Sequence, residues 1–346
     1  MKRRIRALAG AVVCVLAGVA GAATEYKIVT ASERGTYIQI GRDIAKLVAP
    51  GADIALEVLP SAGSAENVQR LRYEPGVKFA MVQSDVYQAF LDQAAAGNAG
   101  AGAMIRPLRV IMPLYNEEIY FIARADAPFD YVHEIRDRKI NAGALKSGTA
   151  LSSSTLYRQM FGAPMPDATT TFLSNEEALV KLTGDKSLDV VVVVAGQPTK
   201  LLADMKPEAR QLIKLLKFDP NHAAGKAALK TYFPATVRAT SYPNLLAEDL
   251  PSLAVKAFLV TYDYTRNTTI GNLSRFARAM CQNFASLQAE GHPKWREVEL
   301  ALPELGRGWL YYPPMAREIK ACLAGKPKAK AVAACSQQER ILGLCG

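Results

Sequence analysis

The chain has 346 residues, of which 50% are hydrophobic and 21% are charged. This composition excludes an intrinsically disordered protein, and the length exceeds what one ordinary hydrophobic core needs, so we expect two domains. The net charge is +10, but the basic residues are scattered and no basic stripe with interleaved aromatic residues occurs, so no nucleic-acid partner is expected.

The first 22 residues have the features of an export signal. Four cations between positions 2 and 6 precede an apolar run over 8–20, and an Ala-x-Ala site ends at Ala22. This order predicts a cleaved signal peptide over 1–22 and a periplasmic protein; the alternative is a membrane anchor, for which the run is short. Without these four cations, 38 basic residues remain against 32 acidic ones, a modest excess that favours anionic partners.

Strand and helix patterns alternate through the first third of the chain. We expect strands over 26–32, 54–59 and 77–83, with a helix over 37–48 between the first two. Apolar runs over 108–115 and 119–123 follow. Because Asn116-Glu117-Glu118 separates these two runs, it predicts the passage into a second domain.

The second unit repeats this plan. We expect strands over 140–145, 189–194 and 213–218, and the run of valines before Ala195 is typical of a strand buried on both faces of a parallel sheet. The alternation of strands and helices implies a parallel sheet in each unit. A strand over 253–262 would return the chain to the first unit, and helices over 273–290 and 314–322 would complete it.

These elements divide the chain into two lobes and a tail. We expect a discontinuous large lobe of 24–116 and 256–325, a small lobe of 117–255 and a C-terminal extension of 326–346. Four cysteines remain after export, and they allow two disulfides in three pairings, of which we favour Cys281–Cys322 and Cys335–Cys345. No Cys-x-x-Cys pair or nearby histidine occurs, so zinc is not expected.

The same local pattern follows five of the predicted strands: glycine or hydroxyl residues turn the chain into a helix. The unpaired N–H groups and the dipole of a helix start favour an anion. Because ligands of open α/β sheets bind beyond the carboxyl ends of the strands, we expect the turns of both lobes to face one cleft. The turns are Gly35-Thr36-Tyr37, Ser61-Ala62-Gly63-Ser64, Gln83-Ser84-Asp85, Ser147-Gly148-Thr149 and Ala195-Gly196-Gln197-Pro198-Thr199.

The five turns, with Leu114-Tyr115-Asn116-Glu117 and Arg124-Ala125-Asp126, stand in the order and spacing of one family. Over about 25–322 the chain resembles TAXI-type solute-binding proteins of tripartite ATP-independent periplasmic (TRAP) transporters. The resemblance implies an α/β, two-lobe periplasmic-binding-protein type II fold, with a cleft between lobes and hinge connections. It also implies a small carboxylate ligand, similar to glutamate or 2-oxoglutarate, and delivery of this anionic solute to the membrane permease subunits of a TRAP transporter.

We expect the ligand-binding residues to come from the turns and their neighbours. Arg34 is a candidate bidentate partner for a carboxylate, and Tyr37 and Tyr115 are candidates for the pocket wall. Structural alternatives exist: Ser84 and Ser147 are candidate N-caps, and Asp85 would favour the helix dipole. The predicted ligand-binding set is Arg34, Gly35, Thr36, Tyr37, Ser61, Ala62, Gly63, Gln83, Ser84, Asp85, Tyr115, Ser147, Gly148, Thr149, Gly196 and Pro198.

The expected function is that of a monomeric receptor that closes around its solute without a covalent step. The alternative is a periplasmic sensing subunit that presents its solute to a receptor kinase, and an exported enzyme is a third interpretation. The three histidines share no motif, and the sequence contains no hydrolase elbow, P-loop or dinucleotide fingerprint. We therefore expect no enzyme activity, no metal and no cofactor.

Overall fold

The structure, a computed structural model, describes residues 23–33, 35–306 and 308–325. The predicted signal peptide, Arg34 and the predicted C-terminal extension with Cys335 and Cys345 lie outside these residues. The strands of the described residues are β1 Thr24–Val29, β2 Ile54–Leu59, β3 Val77–Gln83, β4 Leu108–Arg124, β5 Ile140–Asn141, β6 Thr170–Thr171, β7 Val190–Ala195, β8 Ile213–Leu215, β9 Phe233–Val237 and β10 Leu250–Tyr262. The α-helices of the same ranges are α1 Thr36–Leu47, α2 Ser64–Tyr73, α3 Val86–Ala95, α4 Ala99–Ile105, α5 Gly148–Phe161, α6 Asn175–Thr183, α7 Lys200–Ala203, α8 Ala223–Ala228, α9 Asn267–Gln282, α10 Phe284–Glu290 and α11 Pro313–Gly325.

One mixed sheet runs through both lobes. Its order is β2-β1-β3-β10-β4-β7-β5-β6, with β8 added to β4 and β9 added to β10. The outer pairs are parallel, as the sequence predicts, but β10 pairs antiparallel with both β3 and β4, and β4 pairs antiparallel with β7. The expectation of a parallel sheet in each unit is therefore only partly correct, because two long antiparallel strands form the centre.

The strand β4 crosses from the large lobe to the small lobe without a break. It spans 17 residues and includes Asn116-Glu117-Glu118, which the sequence predicts to separate two shorter runs. The polar triplet does not end the strand because its backbone pairs with Lys256, Val255 and Ala254 of β10. The chain therefore passes between the lobes as two paired strands.

The hydrophobic cores separate on either side of this crossing. Two clusters of buried residues draw their members from 26–115 and 257–319, and two others draw theirs from 119–255. The lobe boundaries predicted at 116/117 and 255/256 lie inside β4 and β10, between these groups, and the division stays a prediction. The predicted α/β class is confirmed, because helices cover one mixed central sheet.

A disulfide connects α9 and α11, the first and last helices after β10 in the described part of the large lobe. Cys281 near the end of α9 is bonded to Cys322 in α11, with the Cα atoms 6.5 Å apart. This is the pairing favoured above, and the bond lies against the large-lobe core around Phe276 and Met280. In the ranges that the structure describes, no helix combines the length and the apolar character needed to cross a membrane.

Candidate functional site

The first turn connects α1 to the crossing strand β4. Gly35 is the N-cap of α1 and Thr36 is its first residue, so the buried side chain of Tyr37 lies at the helix start. The Tyr37 hydroxyl donates a hydrogen bond to Glu117 Oε2 over 2.8 Å. Its ring packs edge-on against Tyr115, with ring centroids 6.5 Å apart.

The second turn is held by contacts within the large lobe. The Ser61 hydroxyl donates to Asn67 Oδ1 and accepts from the Gly63 N–H, while the exposed Ala62 N–H donates to Glu66. These bonds satisfy Ser61 and Ala62 locally, so they fix the shape of the turn.

The second and third turns are bonded to each other at the start of α2. The Ser64 hydroxyl accepts from the Gln83 N–H over 3.0 Å and lies 3.3 Å from Gln83 Oε1. The side chain of Gln83, which is buried, is thereby positioned against the second turn.

The third turn differs from the sequence-based expectation. Ser84 is not an N-cap: its hydroxyl accepts from the Lys256 N–H in β10, because the backbone of Ser84 still pairs with β10. Asp85 is the N-cap of α3, but its side chain makes no capping bond. Instead, Asp85 Oδ2 accepts from the Tyr232 hydroxyl of the small lobe over 3.0 Å. Asp85 therefore joins the two lobes.

The fourth turn, in the small lobe, contacts the second and third turns of the large lobe. Ser147 is an N-cap as expected, accepting from the Ala150 N–H over 3.0 Å. A Cβ added to Gly148 would lie 2.1 Å from Gln83 Oε1, and one added to Gly63, whose φ is +130°, would lie 2.9 Å from the Gly148 nitrogen. Position 63 therefore requires glycine, and a Cβ at position 148 would displace the buried end of the Gln83 side chain.

The fifth turn also reaches the large lobe. A Cβ added to Gly196 would lie 2.9 Å from Lys294 Cε and 3.5 Å from Tyr115 Cε2. Pro198, which is joined to Gln197 by a cis peptide bond, follows two residues later. In the fourth turn, the Thr149 hydroxyl accepts from the Val194 N–H, so the start of α5 is bonded to β7 just before the fifth turn.

The contacts above define a group of five residues that we call the interlobe cluster. Its members are Tyr37, Gln83, Tyr115, Glu117 and Gly148. Each of the five turns either supplies a member or touches one. Of the predicted set, Arg34 lies outside the described residues. Ser61 and Ala62 are bonded within their own turn, and Ser84 is bonded to Lys256 of β10.

Sequence reasoning missed several residues of this region. Glu118, Lys294 and Tyr232 were not singled out, although each is buried next to the predicted turns. Glu118 carries one signal in the sequence, because it belongs to a polar triplet between two apolar runs. Lys294 and Tyr232 carry no comparable signal, since only the fold brings them to the cluster.

Buried acidic groups dominate the electrostatics of this region. Burial raises the pKa of Glu117 to about 7, although hydrogen bonds from Tyr37 and Gln83 oppose the shift. Burial also raises the pKa of Glu118, against the opposing charge of Lys294. The Lys294 ammonium, itself buried, donates to Glu297 Oε2 over 2.7 Å and lies 5.6 Å from the Tyr115 ring centroid.

A second buried carboxyl group lies at the Asp85–Tyr232 contact. Burial raises the pKa of Asp85 to about 6, and the hydroxyl groups of Ser152 and Tyr232 lessen this rise. The carboxyl group is fully enclosed because the small lobe covers it. Its charge is therefore sensitive to the contact between the lobes.

Two cavities adjoin these contacts. One, of about 300 Å³, is lined by Tyr115 and Asn116 of β4 together with Lys256, Glu297 and Glu299. The other, of about 340 Å³, lies between α2, α3 and α5, so both lobes line it, and Lys146 and Ser147 contribute from the small lobe. The lower limit of the usual volume range of small-molecule sites is about 300 Å³.

The fold and the interlobe cluster define a two-lobed α/β protein whose helix starts meet between the lobes. The chain belongs to the NMT1-like family, whose family model matches residues 28–302.

Several solved structures resemble this one at low identity. XAC2383 from Xanthomonas citri, solved with ATP, has 10% identity and a TM-score of 0.48, and the match covers 87% of this chain and 98% of that one. The periplasmic binding protein BugD has 12% identity and a TM-score of 0.48 over 87% and 94% of the two chains. A TctC solute-binding protein from Polaromonas has 15% identity and a TM-score of 0.44 over 87% and 96%. These values describe a distant likeness of architecture and say nothing about what this chain binds.

Proposed function

We propose that this chain is an exported solute receptor of the TAXI type, which binds a small carboxylate between its lobes and delivers it to a TRAP-type permease. The observation that carries the proposal is the contact of helix starts from both lobes, where Gly148 of α5 lies against Gly63 and Gln83. A receptor that encloses its ligand needs such an interlobe meeting of polar backbone groups.

The chemistry of the turns suits a carboxylate. The first N–H groups of α1, α2 and α5 have no partner inside their own helices, and the helix dipoles add positive potential at the same ends. Lys294 supplies a buried ammonium group beside Gly196 and Tyr115. A carboxylate matched by several such donors does not suffer the cost of an unpaired buried charge.

A thermal-shift panel of amino acids, keto acids and dicarboxylic acids tests the proposal. A ligand at about 100 times its dissociation constant adds about 2.7 kcal/mol to the free energy of unfolding. That increment raises the melting temperature by several degrees in a protein of this size. A panel in which no acid raises the melting temperature would contradict the proposal, and matched uncharged amides of the same acids serve as controls.

A further inference from the structure

The end of the large lobe that lies away from the interlobe cluster carries cations over tyrosine rings. The guanidinium carbon of Arg72 lies 5.9 Å from the ring centroid of Tyr73 and 5.5 Å from that of Tyr262. The Lys78 ammonium lies 4.3 Å from the ring centroid of Tyr264, and the ring centroids of Tyr262 and Tyr264 are 6.4 Å apart. These contacts connect the two cations through one continuous row of aromatic rings.

Three segments of the chain meet at this end because the fold places their termini together. Arg72 and Tyr73 end α2, Lys78 lies at the start of β3, and Tyr262 is the last residue of β10. The strand β3 reaches the interlobe cluster at its other end, at Gln83. Lys78 is therefore about 17 Å from Gln83 along the strand, so these cations lie apart from the contact between the lobes.

Arg266, which directly precedes α9, adds a third cation. Burial lowers the pKa of Lys78, and the positive charge of Arg266 lowers that pKa further, so the two side chains repel each other. Arg72, Lys78 and Arg266 form no ion pair with any acidic residue that the structure describes. Arg72 and Arg266 are exposed and Lys78 is half-buried, so an external anion has access to all three.

The acidic residues next to these cations in the sequence are already engaged elsewhere. Glu74 accepts from Arg70 over 2.6 Å, and Asp263 accepts from Arg109 over 2.7 Å. Neither carboxylate forms an ion pair with the three cations. A bound anion would therefore supply a counter-charge that the described part of the chain does not provide.

We propose that Arg72, Lys78 and Arg266, which we call the basic cluster, bind a phosphate group. A guanidinium group pairs with phosphate through two parallel hydrogen bonds, and the lysine ammonium adds a point charge. A phosphate group has several acceptor oxygens, so cations from three separate segments can share it. Tyr73, which is 70% exposed beside Arg72, offers a hydroxyl donor at the margin. Free phosphate and the headgroup of an anionic lipid both carry this chemistry.

The first experiment titrates inorganic phosphate into the full mature chain by isothermal calorimetry, with potassium chloride holding the ionic strength constant. We expect saturable binding that the double variant Lys78→Gln, Arg266→Gln weakens roughly 10- to 100-fold, the range for hydrogen bonds to charged groups. The control double variant Lys226→Gln, Arg317→Gln removes two exposed cations elsewhere. It changes the net charge by the same amount and should bind phosphate like wild type.

The second experiment distinguishes the two sources of the phosphate group. The same proteins are sedimented with vesicles of phosphatidylcholine alone and of phosphatidylcholine mixed with phosphatidylglycerol. Sedimentation with the anionic vesicles that the double variant Lys78→Gln, Arg266→Gln abolishes, without binding of free phosphate, assigns the cluster to a lipid headgroup. Binding of free phosphate without sedimentation assigns it to the free ion. Melting curves verify that the variants are folded, and the single variant Arg266→Gln, at an exposed position, repeats the test without altering the half-buried Lys78.

Three outcomes would overturn the inference. In the first, wild type binds neither phosphate nor anionic vesicles. In the second, both double variants lose binding equally, so that only the net charge matters. In the third, soluble polyglutamate binds while phosphate and anionic vesicles do not, so that the partner of the cluster is an acidic polypeptide. All three leave the receptor proposal intact, because the panel of acids tests solute binding separately.

Discussion

At the scale of single residues, carboxyl groups are buried at the contacts between the lobes. Asp85 accepts from Tyr232 across the lobes, and Glu117 of β4 accepts from Tyr37 at the start of α1. Burial raises the pKa of both groups, to about 6 and about 7 respectively. Because a buried carboxyl group is more easily accommodated when protonated, mildly acidic conditions should favour the closed form.

Asp85→Asn should remove part of the pH dependence of the free energy of unfolding. A carboxyl group whose pKa is raised by folding contributes most to stability when the pH is below the pKa that the group has in the unfolded chain. For Asp85 this contribution is present below pH 3.8 and is lost as the pH rises through about 6. An asparagine side chain cannot ionise, so the Asp85→Asn variant should be about 1–3 kcal/mol more stable than wild type at pH 7.5 and equal to it at pH 4.

Urea unfolding of both proteins at pH 4, 5, 6 and 7.5 measures this difference. The matched control is Asp167→Asn, which alters an exposed aspartate of the small lobe and should give the wild-type pH profile. A difference of the same size at every pH would show that the charge of Asp85 is not responsible.

At the scale of elements, the start of α5 determines how closely the lobes approach. Gly148→Ala should weaken binding of the carboxylate about tenfold, because the added Cβ would lie 2.1 Å from Gln83 Oε1 and must displace the buried Gln83 amide from the contact between the lobes. Titration calorimetry measures the affinity, and the unfolding midpoint tests whether each lobe remains folded.

Gly271→Ala is the matched control for this change. Gly271 lies in α9, where nothing occupies the space around an added Cβ, so affinity should not change and helix propensity should raise stability by up to about 1 kcal/mol. Equal affinities of Gly148→Ala and wild type would mean that ligand binding does not require the contact between Gly148 and Gln83.

The disulfide between α9 and α11 should stabilise the large lobe. It closes a loop with a sequence separation of 41 residues, for which loop-closure entropy gives about 3–4 kcal/mol. The double variant Cys281→Ala, Cys322→Ala should therefore lose about 3 kcal/mol in a denaturant titration. The single variants Cys281→Ala and Cys322→Ala should each lose about the same free energy as the double variant, because either change breaks the same bond. An unchanged free energy of unfolding in the double variant would contradict this role.

The strands and helix starts were largely predictable, because apolar spacing and turn residues are patterns within short stretches of the sequence. Apolar spacing located β1, β2, β3 and β7, and the glycine and hydroxyl turns located the helix starts. Antiparallel pairing of β4 with β10 was not predictable, since a polar triplet in an apolar run resembles a loop. The site was predictable only in its turns: the bond between Asp85 and Tyr232 joins residues 147 positions apart, and no local pattern reports such a partner.

At the scale of the whole molecule, the two lobes are in contact in this structure, and the proposed receptor function predicts that a bound solute favours this contact. We expect a saturating ligand to lower the radius of gyration measured by small-angle X-ray scattering, because closure makes the protein more compact. Gly148→Ala should show a smaller decrease under the same conditions. A radius that does not respond to a bound ligand would rule out domain closure. A permease and a receptor kinase could both recognise the closed form, and the neighbouring genes distinguish these two roles.

The paired crossing strands also limit how the chain can be divided. Both passages between the lobes lie in the interior of β4 and β10, where Asn116 to Ile119 pair with residues 253–256. Cutting at 116/117 and 255/256 would therefore sever two hydrogen-bonded strands. Each half would then expose unpaired strand edges, which promote aggregation. Neither lobe should be obtainable as a well-behaved truncated polypeptide, whereas co-expressed halves could still reassemble by re-forming the two-stranded ribbon.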